Sequence, residues 1–119
     1  MKLETIETAD CNVISTTIKT DEIRMLFESI YDMDKKEYIN NVALVIIDWI
    51  KFEAKLLVSN GPNQAHKEKK LTIENLEYFE LIQKISYSNN ELRLQGYSMN
   101  SGDWLEYQFT DANYRFEKI

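Results

Sequence analysis

The chain has 119 residues, with 20 acidic against 14 basic side chains and a net charge of −6; seven Tyr, five Phe and two Trp stand against three glycines and one proline. That composition excludes a disordered or low-complexity chain, and the acid surplus argues against nucleic-acid binding through phosphate contacts, which takes an excess of Lys and Arg. The length fits a single domain, 1–119, able to bury roughly two-thirds of its unfolded surface.

At the N-terminus, Met1 to Glu7 carries acids and no apolar run, so no signal peptide is read there. Cys11 is the only cysteine, which rules out an intramolecular disulfide and makes a reducing compartment the default. Residues 11–18 are rich in β-branched types and predict a first strand. Asp21 is placed to cap a short helix over 21–32, with Ile23, Leu26, Phe27, Ile30 and Tyr31 on one face. A strand across Met25 to Tyr31 is the alternative. Asp32 to Glu37 is a charged connection, and Asn40-Asn41 marks a turn.

Residues 42–58 form the longest apolar segment, and its even positions are apolar from Val42 to Val58 except at Asp48. Successive strand side chains alternate faces, so this pattern predicts one long central strand, 42–58, around which the fold is built. Its odd positions are apolar from Ala43 to Trp49 and charged at Lys51, Glu53 and Lys55. The first half is therefore expected to be covered on both faces and the second on one, with a bend at Asp48-Trp49. Phe52→Ala is expected to cost about 3–5 kcal/mol as a buried-Phe deletion. No apolar run reaches the ~20 residues of a membrane span, and the chain reads as soluble and cytoplasmic.

Ser59 to Gln64 is dense in turn formers and Ala65 to Lys70 is lysine-rich, which together predict an exposed, mobile loop. Thr72 then suits a helix N-cap, and Ile73, Leu76, Phe79, Ile82 and Ile85 recur at helical spacing, predicting an amphipathic helix over 72–86. The remainder predicts an antiparallel meander, with a hairpin at Asn100-Ser101-Gly102 whose glycine is placed for a positive φ. The expected fold class is α+β: a curved antiparallel sheet of about five to six strands around 42–58, with helix 72–86 on one face and a short helix at 21–32.

The residues that carry chemistry form no catalytic set. His66 is the sole histidine and sits in the lysine-rich loop, which argues against a multi-histidine zinc site or a serine triad. Cys11 reads as a small buried hydrophobe. Asp32 and Asp34 invite a calcium-loop reading, but the sixth and twelfth positions are Glu37 and Ala43 where glycine and glutamate are required, so they read as solvated acids. The three glycines, at 61, 96 and 102, are too far apart for a phosphate-cradling loop. No cofactor and no metal are expected.

Asp103, Trp104 and Glu106 stand out as partner-binding candidates. Trp104 alternates onto the polar side of its strand with Glu106 and Gln108, and an indole on a polar face is either an interface anchor or is covered by the N-terminal segment. Asp48, which interrupts the buried series, is the fourth candidate.

Three stretches together resemble the small acidic immunity proteins that bacteria encode beside polymorphic or contact-dependent toxins. They are Asp48-Trp49 continuing through Leu56, Leu71 to Phe79 read as a helix, and the hairpin Ser101 to Tyr107. The resemblance spans about residues 48–110, rests on the order of elements and involves no diagnostic motif. It implies a single α+β domain without catalysis that binds and blocks a cognate toxin, with the acidic surface complementing a basic, nuclease-type partner. Two further readings stand beside it. One is a small-molecule-binding or enzymatic domain with a pocket between helix 72–86 and the sheet, lined by Tyr97, Tyr107 and Tyr114. The other is a homodimeric accessory protein paired through sheet edges.

Overall fold

In the computed structural model, which describes residues 2–59, 61–62 and 65–119, the chain forms ten antiparallel strands and two single 3-10 turns, with no α-helix among the described residues. The strands are β1 (Ile6–Glu7), β2 (Cys11–Ile18), β3 (Glu22–Asp32), β4 (Glu37–Ile47), β5 (Lys51–Val58), β6 (Lys67–Leu71), β7 (Phe79–Ser88), β8 (Glu91–Ser98), β9 (Trp104–Thr110) and β10 (Asn113–Lys118). The expected α+β class is therefore corrected to all-β, and among the described residues no helix is long and apolar enough to cross a membrane.

Neighbouring strands run in the order β10-β4-β3-β2-β7-β8-β9-β5-β6, with β1 beside the end of β3. β2 belongs to two halves: Val13 to Ile18 lie against β3, while Cys11 and Asn12 lie against β7. Buried side chains from both halves, such as Phe27 and Leu44 from one and Leu94 and Tyr107 from the other, share a single core. The sheet thus folds over on itself, and the two inner faces bury each other.

Both predicted helices are strands, for separable reasons. Over 21–32 the alternation of Ile23, Met25 and Phe27, all fully buried, prevails over the helical spacing, because β3 is paired on both sides by β2 and β4. Over 72–86 only Ile73–Asn75 makes a 3-10 turn, held by a capping box in which Asn75 Oδ1 accepts the Thr72 amide at 2.6 Å. The rest is β7, which has register shifts against β8 between Phe79 and Leu81 and again between Ile82 and Lys84. A bulge inserts one extra residue on its strand, so the next inward position falls three residues on instead of two. Phe79, Ile82 and Ile85 therefore all turn toward the core at intervals of three. Two bulges reproduce the spacing of a helix face.

The predicted central strand 42–58 is likewise divided. β4 lies between β3 and β10 in one half, and β5 lies between β9 and β6 in the other. The break is at Asp48, whose φ is +58°, and the facing strand breaks at Asp111, φ +55°. Ile47 pairs with Asn113 before the corner, and Lys51 pairs with Thr110 after it. β4–β5 and β9–β10 thus make one two-stranded ribbon, bent at a pair of aspartates and carrying one extra residue at the bend. The corners are joined: Asn113 Nδ2 donates to Asp48 Oδ2 at 3.1 Å, and the Ile50 amide donates to the Thr110 carbonyl at 2.9 Å. A left-handed backbone is strained for most L-residues and is tolerated by Asp and Asn. Asp48→Ala is accordingly expected to lower stability by about 1–2 kcal/mol, and Asp48→Asn by much less, as read from urea unfolding midpoints.

Val42 to Ile46 are fully buried without interruption. Val42, Leu44 and Ile46 join the shared core, whereas Ala43 and Val45 face outward, opposite Glu117 and Arg115 on β10 and Leu26 and Arg24 on β3. Glu117 binds both guanidinium groups there, Arg24 at 2.9 Å and Arg115 at 2.6 Å. The stems of these long side chains cover the apolar positions while their charged ends stay wet.

Phe52 is half-buried and lies at the edge of the core, so the large deletion cost expected for it belongs to fully buried Phe109. Lys67 to Lys70, expected as loop, belong with Leu71 to the edge strand β6; of the loop before it, positions 60, 63 and 64 lie outside the described residues. Asp32 is buried at 7% exposure, and its carboxylate accepts the amides of Asp34 and Lys35 to close the β3–β4 turn. The hairpin glycine Gly102 has φ +77°.

Candidate functional site

The outer face of the second half is built by register. On β9, Leu105, Tyr107 and Phe109 are fully buried, which turns Trp104, Glu106, Gln108 and Thr110 outward. Trp104 pairs with Tyr97 on β8 and with Leu57 on β5, and Tyr97 pairs in turn with Leu81 on β7. Four apolar side chains from four adjacent strands thus stand in one row on a face that otherwise carries charges. Tyr97 is 41% exposed and Met99, at the end of the same strand, 62%. Trp104 meets the Tyr97 ring edge-to-face at 5.2 Å. The N-terminal segment lies in the other half, where Ile6 pairs with Asp32, and does not cover Trp104.

The next row inward along the strands is polar: Lys84, Gln95, Glu106, Lys55 and Lys70 from β7 through β6. Glu106 is its hub. Its Oε1 accepts from Gln95 Nε2 at 2.8 Å and from Trp104 Nε1 at 3.2 Å, and its Oε2 lies 3.6 Å from Lys55 Nζ. Burial acts to raise the Glu106 pKa, but the hydrogen bonds from Gln95 and Trp104 and the charges of Lys55 and Arg93 outweigh it and bring it below the usual carboxylate value. The Lys55 ammonium is held above its usual value, chiefly by its 2.8 Å hydrogen bond to Glu68. Glu106 therefore serves to fix the Trp104 indole on the surface. Both its oxygens are engaged, so it is not a free contact for a partner.

Asp103 precedes β9 and, with His66, Ser59 and Gly102, borders a shallow depression of about 460 Å³ beside Trp104, Tyr97 and Leu57. Asp48 lies at the other end of the β5–β9 pair, beside Lys51 and Thr110, roughly 20 Å away by the rise of a strand. Of the four candidates, Asp103, Trp104 and Glu106 come together and Asp48 does not. Leu57 and Leu81 are not among the sequence candidates, and Tyr97, expected to line a pocket, stands on this outer face instead. Leu57 carries a signal, as the apolar odd position after Lys51, Glu53 and Lys55, but Leu81 falls within the expected helix 72–86 and only the register joins the three.

The expected pocket between helix 72–86 and the sheet does not exist, because that helix is absent. Nor do its three tyrosines share a wall. Tyr107 is fully buried in the core, with its hydroxyl donating to the Glu77 carbonyl and its pKa pushed up by burial; Tyr97 is on the outer face; Tyr114 is half-buried against Tyr87, ring centroids 5.6 Å apart. Among the described residues, no three His, Cys, Asp or Glu side chains gather as a metal site requires.

Comparison with protein-family models, curated proteins and solved structures gave no match.

Proposed function

We propose that the chain is a non-catalytic protein-binding module that grips its partner with the outer face of β7, β8, β9 and β5, centred on Trp104. One observation supports this above the others: the in-register row Leu81–Tyr97–Trp104–Leu57 on a solvent face. Trp and Tyr are enriched among the residues that dominate interface energies, and contiguous apolar surface on a monomer marks interaction sites. Glu106 and Gln95 hold the row's principal anchor in one orientation before binding, which lowers the ordering cost of association. The partner class we favour is a basic bacterial toxin neutralised by direct binding, as in the immunity proteins the sequence resembles. The net charge of −6 supports this through long-range attraction, while the α+β architecture that the resemblance implied gives no support.

The test is binding to the toxin-like product of a neighbouring reading frame, by calorimetry and by protection from toxicity. Trp104→Ala is expected to weaken the complex about 30-fold, as a central anchor of about 2 kcal/mol would, with the unfolding midpoint little changed. Unchanged affinity would move the interface off this face. No complex and no protection would sink the toxin-binding reading altogether.

A further inference from the structure

At the end of the molecule opposite the Trp104 row, the two halves do not close. β2 leaves β7 after Asn12, and the gap opens into a cavity of about 520 Å³, walled by Ile18, Ile23, Trp49, Phe52 and Ile73 with Lys19 and Thr20 at its rim. This volume lies within the range of small-molecule sites, which are apolar clefts with a few polar groups. Its floor is fixed: Ile23 is fully buried, and the Trp49 and Phe52 rings pack on Phe109 at 5.5 and 4.7 Å. Its lip is not covered, since Ile73, on the capped 3-10 turn, is 65% exposed.

Lys19 is the one charged residue of the cavity's own lining, and the carboxylates lie immediately beside it. A second depression, of about 340 Å³, shares Lys19 with the first and is bordered by Asp21, Glu22 and Asp48. Three carboxylates against one ammonium leave a local charge of −2, and none of the four is paired to an opposite charge among the described residues. Aromatic faces attract cations as well, indole most of all. We propose that this mouth binds a small apolar molecule bearing a positive charge, its body seated against Trp49, Phe52 and Ile73 and its cation toward Asp21 and Asp48. The site is independent of the Trp104 face, and one can fail without the other.

The experiment uses the full chain with Trp104→Phe, which leaves Trp49 as the only indole, and titrates octyltrimethylammonium, octanoate and 1-octanol below their micellar or solubility limits. The expected result is a saturable change in Trp49 emission with octyltrimethylammonium, at one site per chain by calorimetry. Octanoate is expected to bind weaker by about tenfold or more, the scale of a desolvated cation–π contact. Ile73→Ser, at an exposed position, should weaken the ammonium on the order of fivefold by removing apolar contact. Asp48→Asn, which keeps a residue tolerant of the left-handed corner, should narrow the gap between the ammonium and octanol. The proposal is overturned if octanoate or octanol binds as tightly as the ammonium, if Ile73→Ser leaves the affinity unchanged, or if no probe saturates.

Discussion

Gly96→Ala is expected to cost on the order of 3 kcal/mol or more, or to abolish folding, although it adds a single methyl group. A Cβ at Gly96 would lie 2.1 Å from the Leu81 carbonyl oxygen, 2.9 Å from the Ile82 Cα and 3.0 Å from the Leu81 carbonyl carbon. All three are backbone atoms and none can rotate away. The closeness has a cause in the neighbouring strand: Leu81 and Ile82 sit between the two bulges of β7, where the backbone presses against β8. Relieving the contact would require β7 to retreat, which would disturb Ile82 in the core and Leu81 in the outer row together. Urea unfolding followed by circular dichroism measures the loss. A midpoint within error of the parent would show that the bulged segment is compliant and would remove glycine's role there.

Phe109→Ala is expected to cost about 3–5 kcal/mol, lowering the melting temperature by on the order of 15 °C. Phe109 is fully buried, stacks on Phe52 at 4.7 Å with ring planes 11° apart, and touches Trp49 and Tyr107 with centroids at 5.5 and 6.4 Å. Removing it would hollow the middle of an aromatic row that continues through Tyr107 to Phe79 at 4.7 Å. Phe52→Ala, at the cavity wall, should cost only about 2 kcal/mol, since part of its ring already meets water in the folded state. Equal losses at the two positions would mean that the mouth is closed in solution. Larger loss at Phe52 would place the centre of the core on β5.

Much of the strand content was legible where one local signal agreed with burial. Residues 11–18, the alternation from Leu105 to Phe109 and the glycine turn before β9 are all present, because hairpin chemistry and period-two burial act over a few residues. The helices expected over 21–32 and 72–86 rest on a spacing, and spacing does not distinguish a helix from a strand with bulges. At 79–85 the intervals of three come from register shifts against β8, a partner no local window contains. In 42–58 the chain breaks at Asp48-Trp49, where the pattern predicts a bend, but it changes halves there instead of curving within one sheet. Among the site residues, Trp104 was legible as an indole on a polar strand face. The role of Glu106 as its clamp, and the contributions of Leu81 and Tyr97, depend on which strands lie side by side.

The bent ribbon also sets an order of events during synthesis. β4 is complete at Ile47, yet the strand that covers its outer edge runs from Asn113 to Lys118, so Val42 waits 76 residues for its partner Lys118. At ribosomal speeds that interval is roughly 4–15 s. Throughout it, Val42 to Ile46 present an uncharged, β-prone edge with no strand beside it, the kind of template on which chains pair wrongly. β10, an edge strand of six residues with three charged side chains, Arg115, Glu117 and Lys118, therefore does more than complete the core. It replaces a sticky edge with a guarded one, and a nascent chain interrupted before Asn113 has no such guard.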